Sequence, residues 1–133
     1  MTHGDVYERV RAMHVVTKLW PPDAVAGSGF ASDPSPASIS TYTVARILIL
    51  EALRWLEASS KAAEDRRAGA LGAHILLLRP ALVSSAKCAW VIRPDDGDER
   101  AARAARLVAE DRRQGASAMD KARNRVLPKC SCG

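Results

Sequence analysis

The chain is poor in aromatic residues and in cysteine, and it lacks any long uncharged hydrophobic run. Aromatic residues make up 5% of the 133 residues, and there are 3 cysteines. An odd number of cysteines, two of them close together as Cys130 and Cys132, does not make a disulfide framework. No uncharged apolar run approaches the roughly 20 residues of a membrane span, and the N-terminus carries charges where a signal peptide needs an apolar stretch. We therefore expect a protein of the reducing cytoplasm without a membrane segment.

Specific catalytic and ligand-binding motifs are also missing. The sequence contains no P-loop, no Gly-x-Gly-x-x-Gly, no Gly-x-Ser-x-Gly and no His-Glu-x-x-His. Tetrahedral zinc needs four ligands at suitable spacing, whereas His3, His14, His74 and Cys88 are scattered. The acidic residues between Asp95 and Glu99 lack the ligand spacing of an EF-hand. The sequence predicts neither a metal site nor a cofactor.

The strongest positive signal is helical periodicity. Apolar residues recur at steps of three and four in several segments, which is typical of helices that pack on one another. The residues before these segments are suitable helix caps, and Asp96-Gly-Asp-Glu99 has the form of a capping box. The predicted helices are Asp5–Trp20, a second that begins at Ser38 or Ser40 and ends near Glu64, a third at Leu71–Ile92, and a fourth after Asp96.

The length corresponds to one domain, so we predict a single helical domain over residues 1–133. Its fold class is all-α, an antiparallel bundle of about four helices. Residues 21–37 are rich in Pro, Gly and Ser and predict a loop, and residues 128–133 predict a loose tail. The third helix is expected to kink at Pro80, because proline removes the hydrogen bond to the carbonyl of Leu76.

Arg79 precedes Pro80 inside the most apolar segment of the chain. An arginine that is buried keeps its charge and therefore needs a carboxylate partner. Glu51 and Glu57 on the preceding helix are the candidates, and we predict a core ion pair between Arg79 and Glu51. An anion-binding site at Arg79 is the alternative.

The apolar faces of the second and third helices are wider than one neighbouring helix covers. Because soluble monomers rarely expose large apolar patches, we expect another protein or a second copy of the chain to cover them. The sequence therefore predicts a non-enzymatic helical interaction or oligomerisation module, with a homodimer as its simplest form. The candidate interface residues are Leu50, Leu53, Trp55, Leu78, Leu82 and Trp90.

Two arginine and histidine pairs provide an enzymatic alternative. Six residues separate Arg67 from His74, and four separate Arg9 from His14, which resembles the Arg-x(4–6)-His motif of HEPN-type ribonucleases. That resemblance implies a metal-independent ribonuclease of a toxin or phage-defence system, in which Arg67 stabilises phosphate charge and His74 assists attack by the ribose 2'-hydroxyl. In that family a polar residue usually follows the arginine, whereas Ala68 follows it here.

A second alternative is binding to the backbone of RNA or DNA. Arg100, Arg103 and Arg106 are spaced three apart and form a basic stripe on a helix, and the chain carries a net charge of +5. Such a stripe can follow phosphates without sequence preference. Acidic residues lie close enough to pair with these arginines, and no aromatic residue between them could stack on a base.

The segment from Leu77 to Asp95, followed by the arginine-rich stretch Arg100 to Asp111, carries a further resemblance. In this segment the chain resembles a set of uncharacterised helical proteins of high-GC Gram-positive bacteria. The shared features are an Arg (Arg79), an Ala-Leu step (Ala81-Leu82), an Ala-Trp pair (Ala89-Trp90) and a Pro-Asp turn (Pro94-Asp95). The resemblance covers about Tyr42 to Gln114 and implies the helix count but no activity. Those proteins are usually longer, so it also implies a shortened version whose apolar faces need cover from another chain.

Overall fold

The structure, a computed structural model, describes residues 3–34, 39–64 and 70–126. These residues form four α-helices and no strand, which confirms the all-α prediction. The predicted tail at 128–133 and part of the predicted loop at 21–37 lie outside the described residues. The helices are α1 (His3–Lys18), α2 (Thr41–Glu64), α3 (Ala70–Ile92) and α4 (Gly97–Val126).

Local side chains explain where α2 and α4 begin. The Ser40 hydroxyl accepts a hydrogen bond from the backbone N–H of Thr43 at 3.1 Å, so Ser40 is the N-cap of α2. The Asp96 carboxylate accepts one from the backbone N–H of Glu99 at 3.0 Å and caps α4 in the same way. The Glu99 carboxylate pairs with Arg103 instead of completing the capping box.

The centre of the fold is an antiparallel hairpin of α2 and α3. Three contacts between the helices fix its register, and their order runs in opposite directions along the two helices. Small and polar residues on the inner side of α3 allow the two backbones to approach closely. The contacts are Cys88 Sγ to the Ala45 carbonyl at 3.7 Å, the Ser84 hydroxyl to Glu51 at 3.1 Å, and the Ser59 hydroxyl to the His74 carbonyl at 2.9 Å.

The core lies between α2, α3 and the first half of α4. Its side chains are mostly aliphatic or small, which fits helices packed at short distance. Within the described residues α1 packs on α2 and on neither α3 nor α4, so it covers one side of the hairpin. The buried members of the core are Val44, Ala45, Leu48, Cys88, Val91 and Ala104.

α4 leaves the bundle halfway along its length. Lys87 on α3 and Asp111 on α4 form an ion pair at 3.3 Å where the two helices separate. Residues 111–122 are all exposed. Residues 112–122 of α4 therefore project into solvent, away from the other described helices.

Pro80 lies inside α3, which continues as a helix on both sides of it. The amide that proline lacks leaves the Leu76 carbonyl without its usual helical partner. The kink at Pro80 stays a prediction.

Cys88 is buried in the core, and burial raises the pKa of its thiol. A raised pKa lowers the thiolate fraction at any given pH, and the thiolate is the reactive form. In a variant carrying Cys130→Ser and Cys132→Ser, alkylation of Cys88 by iodoacetamide should be at least about tenfold slower in the folded protein than in urea. Mass spectrometry of the alkylated fraction over time measures this, and equal rates in both states would contradict the burial of Cys88.

Candidate functional site

The outward side of α3 is an exposed apolar surface. Ile75, Leu78, Leu82, Ser85 and Ala89 recur at steps of three and four, and all five are exposed. Ile75 is 61% exposed and Leu82 is 70% exposed. Side chains at this spacing form one stripe along a helix, of the kind that packs against another helix. We call these five residues the α3 stripe.

The α3 stripe carries no charged residue and divides into two halves by size. Ile75, Leu78 and Leu82 are large, whereas Ser85 and Ala89 in the second half are small. The Ser85 hydroxyl donates to the Ala81 carbonyl at 2.8 Å, so its polarity is satisfied within the helix. The α3 stripe is thus an apolar ridge followed by a shallow region.

The predicted interface residues fall into three groups. Leu78, Leu82 and Trp90 on α3 are exposed, as a contact surface requires. Leu50 and Trp55 on α2 are half-buried. Leu53 is buried among residues of α1 and α2 and is therefore not available to a partner, which corrects that candidate.

The predicted ion pair between Arg79 and Glu51 is not formed in the structure. Arg79 is exposed, and the Glu51 carboxylate accepts a hydrogen bond from Ser84. The inner side of α3 runs through Ala81 and Ser84, and Arg79 lies roughly 200° around the helix from Ala81 at 3.6 residues per turn. The guanidinium of Arg79 therefore points to solvent beside the α3 stripe and needs no carboxylate.

Arg100 holds the loop after α1 against the start of α4. Its Nε and Nη2 donate to the two carboxylate oxygens of Asp33 at 2.9 and 2.5 Å, and the Asp33 side chain is 0% exposed. Nη2 also donates to the Gly29 carbonyl, and Nη1 donates to the carbonyls of Pro94 and Asp95 between α3 and α4. The hydrogen bonds to Asp33 raise the pKa of the guanidinium. Arg100 is therefore a structural clamp.

The absence of a side chain at Gly97 allows the Asp33 carboxylate to reach Arg100. A Cβ at position 97 would lie 2.7 Å from Oδ1 of Asp33, closer than atoms without a bond approach each other. The Phe30 ring in the same loop lies 5.5 Å from the Arg100 guanidinium carbon and packs against Tyr42. Asp33 and Gly97 were not predicted as partners of Arg100, because nothing in the local sequence links them to it.

The other two members of the predicted basic stripe differ from Arg100. Arg103 pairs with Glu99, donates to the Trp90 carbonyl at 2.8 Å, and lies over the Trp90 ring at 5.0 Å. Arg106 is exposed and has no ion pair within the described residues. Of the three arginines that were predicted to contact phosphate, Arg106 is the one without a partner in the part of the chain that the structure describes.

The two arginine and histidine pairs give no assembled nuclease site in the described chain. Arg67 lies outside the described residues, and so does the side chain of His14. His74 is half-buried; its carbonyl accepts from Ser59, and its Nδ1 is buried without a hydrogen bond. Arg9 is exposed. The HEPN-like hypothesis stays a prediction.

Among the described helices, α3 is long and apolar enough to cross a membrane by length and composition. The segment His74–Ile92 meets these criteria although it includes Arg79 and Lys87, and 22% of it is buried inside the fold. The core helix of a soluble protein can meet the same criteria, but such a helix is mostly buried. The low burial of α3 is therefore a further sign of its uncovered outward side.

No family model, curated protein or solved structure matches this chain. The resemblance to helical proteins of high-GC Gram-positive bacteria accordingly stays a prediction.

Proposed function

We propose that this chain is a helical interaction module that associates with a second copy of itself through the α3 stripe. The observation that carries the proposal is the exposure of large apolar residues along the most apolar helix of the fold. Burying a leucine or isoleucine side chain contributes about 1.5–3 kcal/mol, so uncovered side chains of this kind favour association. All five residues of the stripe are exposed in the described structure, with Leu78 at 37% and Leu82 at 70%.

A second copy fits the α3 stripe because the stripe is complementary to itself. If two α3 helices pack in antiparallel orientation, the large half of one faces the small half of the other. Leu82 then lies opposite Ser85 of the other copy, and Leu78 lies opposite Ala89. Such an interface has two-fold symmetry, the commonest arrangement in homo-oligomers. No charged residue belongs to the stripe, so no like charges are buried at the contact.

A lipid bilayer is a less suitable cover than a second copy. α3 packs along α2 for most of its length, so a membrane that surrounded α3 would also surround α2. The cost of placing a charged side chain at the centre of a bilayer is about 2.5–3.5 kcal/mol on insertion scales. α2 carries six charged residues, which are Arg46, Glu51, Arg54, Glu57, Lys61 and Glu64.

Light scattering coupled to size-exclusion chromatography tests self-association. We expect a mass of twice the 14.3 kDa of the chain at micromolar concentration. Leu82→Glu should shift the protein to monomer, because it places two carboxylates in the apolar contact. Leu76→Glu is the matched control, since Leu76 is 74% exposed and lies outside the stripe. A monomeric wild type, or equal masses for the two variants, would refute the proposal.

Cross-linking tests the antiparallel orientation. In a background of Cys130→Ser and Cys132→Ser, copies with Leu82→Cys are mixed with copies with Ser85→Cys and oxidised. We expect disulfide-linked dimers from the mixture and few from either variant alone. Efficient linkage of Leu82→Cys to itself would indicate parallel helices, and sedimentation of the wild type with phosphatidylcholine vesicles would indicate a membrane surface instead.

A further inference from the structure

The loop after α1 and the facing side of α2 line an apolar cavity that is partly open to solvent. The cavity has a volume of about 370 Å³, within the range of small-molecule sites. Trp20 and Phe30 line it from the side of the loop, and Tyr42, Arg46 and Ile49 line it from α2. We call this space the loop cavity.

A second cavity lies next to the loop cavity, between α1 and α2. Its volume is about 380 Å³, and Trp20 and Ile49 line both spaces. Met13 and Val16 of α1 and Leu53 of α2 complete most of its wall. Arg46 and Leu53 are seven residues apart, which is roughly 10 Å along the axis of α2. The two cavities therefore lie side by side along α2, and Arg46 lines the loop cavity.

Arg46 is the one cation that lines either cavity. Its Nε is buried and makes no hydrogen bond, and the described chain supplies it with no carboxylate or carbonyl partner. A guanidinium keeps its charge at all physiological pH values, so an unpaired donor at an apolar wall favours an incoming anion. The Tyr42 hydroxyl already donates to the Pro21 carbonyl at 2.8 Å, which leaves Arg46 as the polar group available to a ligand.

We propose that these two cavities bind an aliphatic carboxylic acid, whose carboxylate pairs with Arg46 and whose chain lies along Trp20 and Ile49. One carboxylate balances the single charge of Arg46, and its two oxygens can accept two parallel hydrogen bonds from the planar guanidinium. A phosphate dianion would retain an unbalanced negative charge against apolar walls. The α3 stripe lines neither cavity, so the inference does not depend on self-association.

Calorimetry with sodium decanoate tests the proposal. We expect one decanoate to bind per chain, and we expect binding to change the fluorescence of Trp20 in a variant with Trp55→Phe and Trp90→Phe. Arg46→Met should weaken decanoate binding at least about tenfold, since it removes a charge-assisted pair. Arg54→Gln, on the exposed side of the same helix, is the matched control and should bind as the wild type does.

Two comparisons separate specific binding from surfactant adsorption and from misfolding. Decanol lacks the carboxylate, so its affinity should be lower than that of decanoate and equal for the wild type and Arg46→Met. Arg46→Lys keeps the charge but lacks the planar guanidinium that can donate two parallel hydrogen bonds. It should therefore weaken decanoate binding less than Arg46→Met does. Absence of decanoate binding to the wild type, or equal decanoate affinity of the wild type and Arg46→Met, would overturn the proposal.

Discussion

Replacing Arg100 with alanine should lower the free energy of unfolding by about 3 kcal/mol, the typical cost of removing one partner from a buried ion pair. The loss in stability is large because the side chain of Asp33 is fully buried and that of Arg100 is 11% exposed. Without the guanidinium, the Asp33 carboxylate and the Gly29 carbonyl lose their donors. Urea unfolding followed by circular dichroism measures the change.

The exposed pair of Arg113 and Glu110 on α4 is the control for this prediction. Arg113 donates to both carboxylate oxygens of Glu110 and lowers its pKa, as in a well-formed ion pair. Both residues face solvent, where a pair contributes little to stability. Arg113→Ala should therefore leave the urea midpoint unchanged, and Arg100→Lys should be intermediate. Equal midpoints for Arg100→Ala and the wild type would show that the loop is not clamped.

Leu48→Ala should also lower the free energy of unfolding by about 3 kcal/mol, because truncating a packed leucine leaves a cavity. Leu48 is 6% exposed and belongs to the core between α2, α3 and α4. Leu76→Ala is the matched control and should cost less than about 0.5 kcal/mol, since its side chain is mostly in water. Thermal unfolding at one fixed protein concentration measures both changes. If Leu76→Ala lowered the free energy of unfolding as much as Leu48→Ala does, the assignment of Leu48 to the core and Leu76 to the surface would be wrong.

The helix ends could be predicted because their causes are local. Ser40 and Asp96 each bond to a backbone amide three residues further along, and this spacing is visible in the sequence. The same holds for the end of α3, which the Pro at position 94 marks. Capping depends on a few neighbouring residues and not on the rest of the fold.

The inner side of α3 was harder to predict. Apolar residues surround this helix on all sides, so hydrophobicity alone does not distinguish the side that faces α2 from the side that faces water. Small residues at Ala81, Ser84 and Cys88 mark the close contact, and this spacing was the available signal. The prediction for Arg79 failed because it assumed that the most apolar segment is buried on every side.

Clamping by Arg100 could not be predicted either, because its causes are not local. Arg100 resembles Arg103 and Arg106 in a basic stripe, and its partner Asp33 lies 67 residues away in the chain. The cavities beside Arg46 depend in the same way on how the loop folds over α2. The Asp33–Arg100 pair and these cavities follow from the tertiary structure, and periodicity and local motifs in the sequence do not predict such distant contacts.

The distance of 67 residues between Asp33 and Arg100 has a consequence for the order of events during synthesis. As the chain leaves the ribosome, the residues around Asp33 emerge well before the arginine that neutralises them. The hairpin of α2 and α3 emerges in between, and its nearby contacts can form early because they close shorter segments. The ion pair between the N-terminal loop and Arg100 therefore forms last, after the start of α4 has emerged. A nascent chain that stops before Arg100 lacks the ion pair that holds this loop.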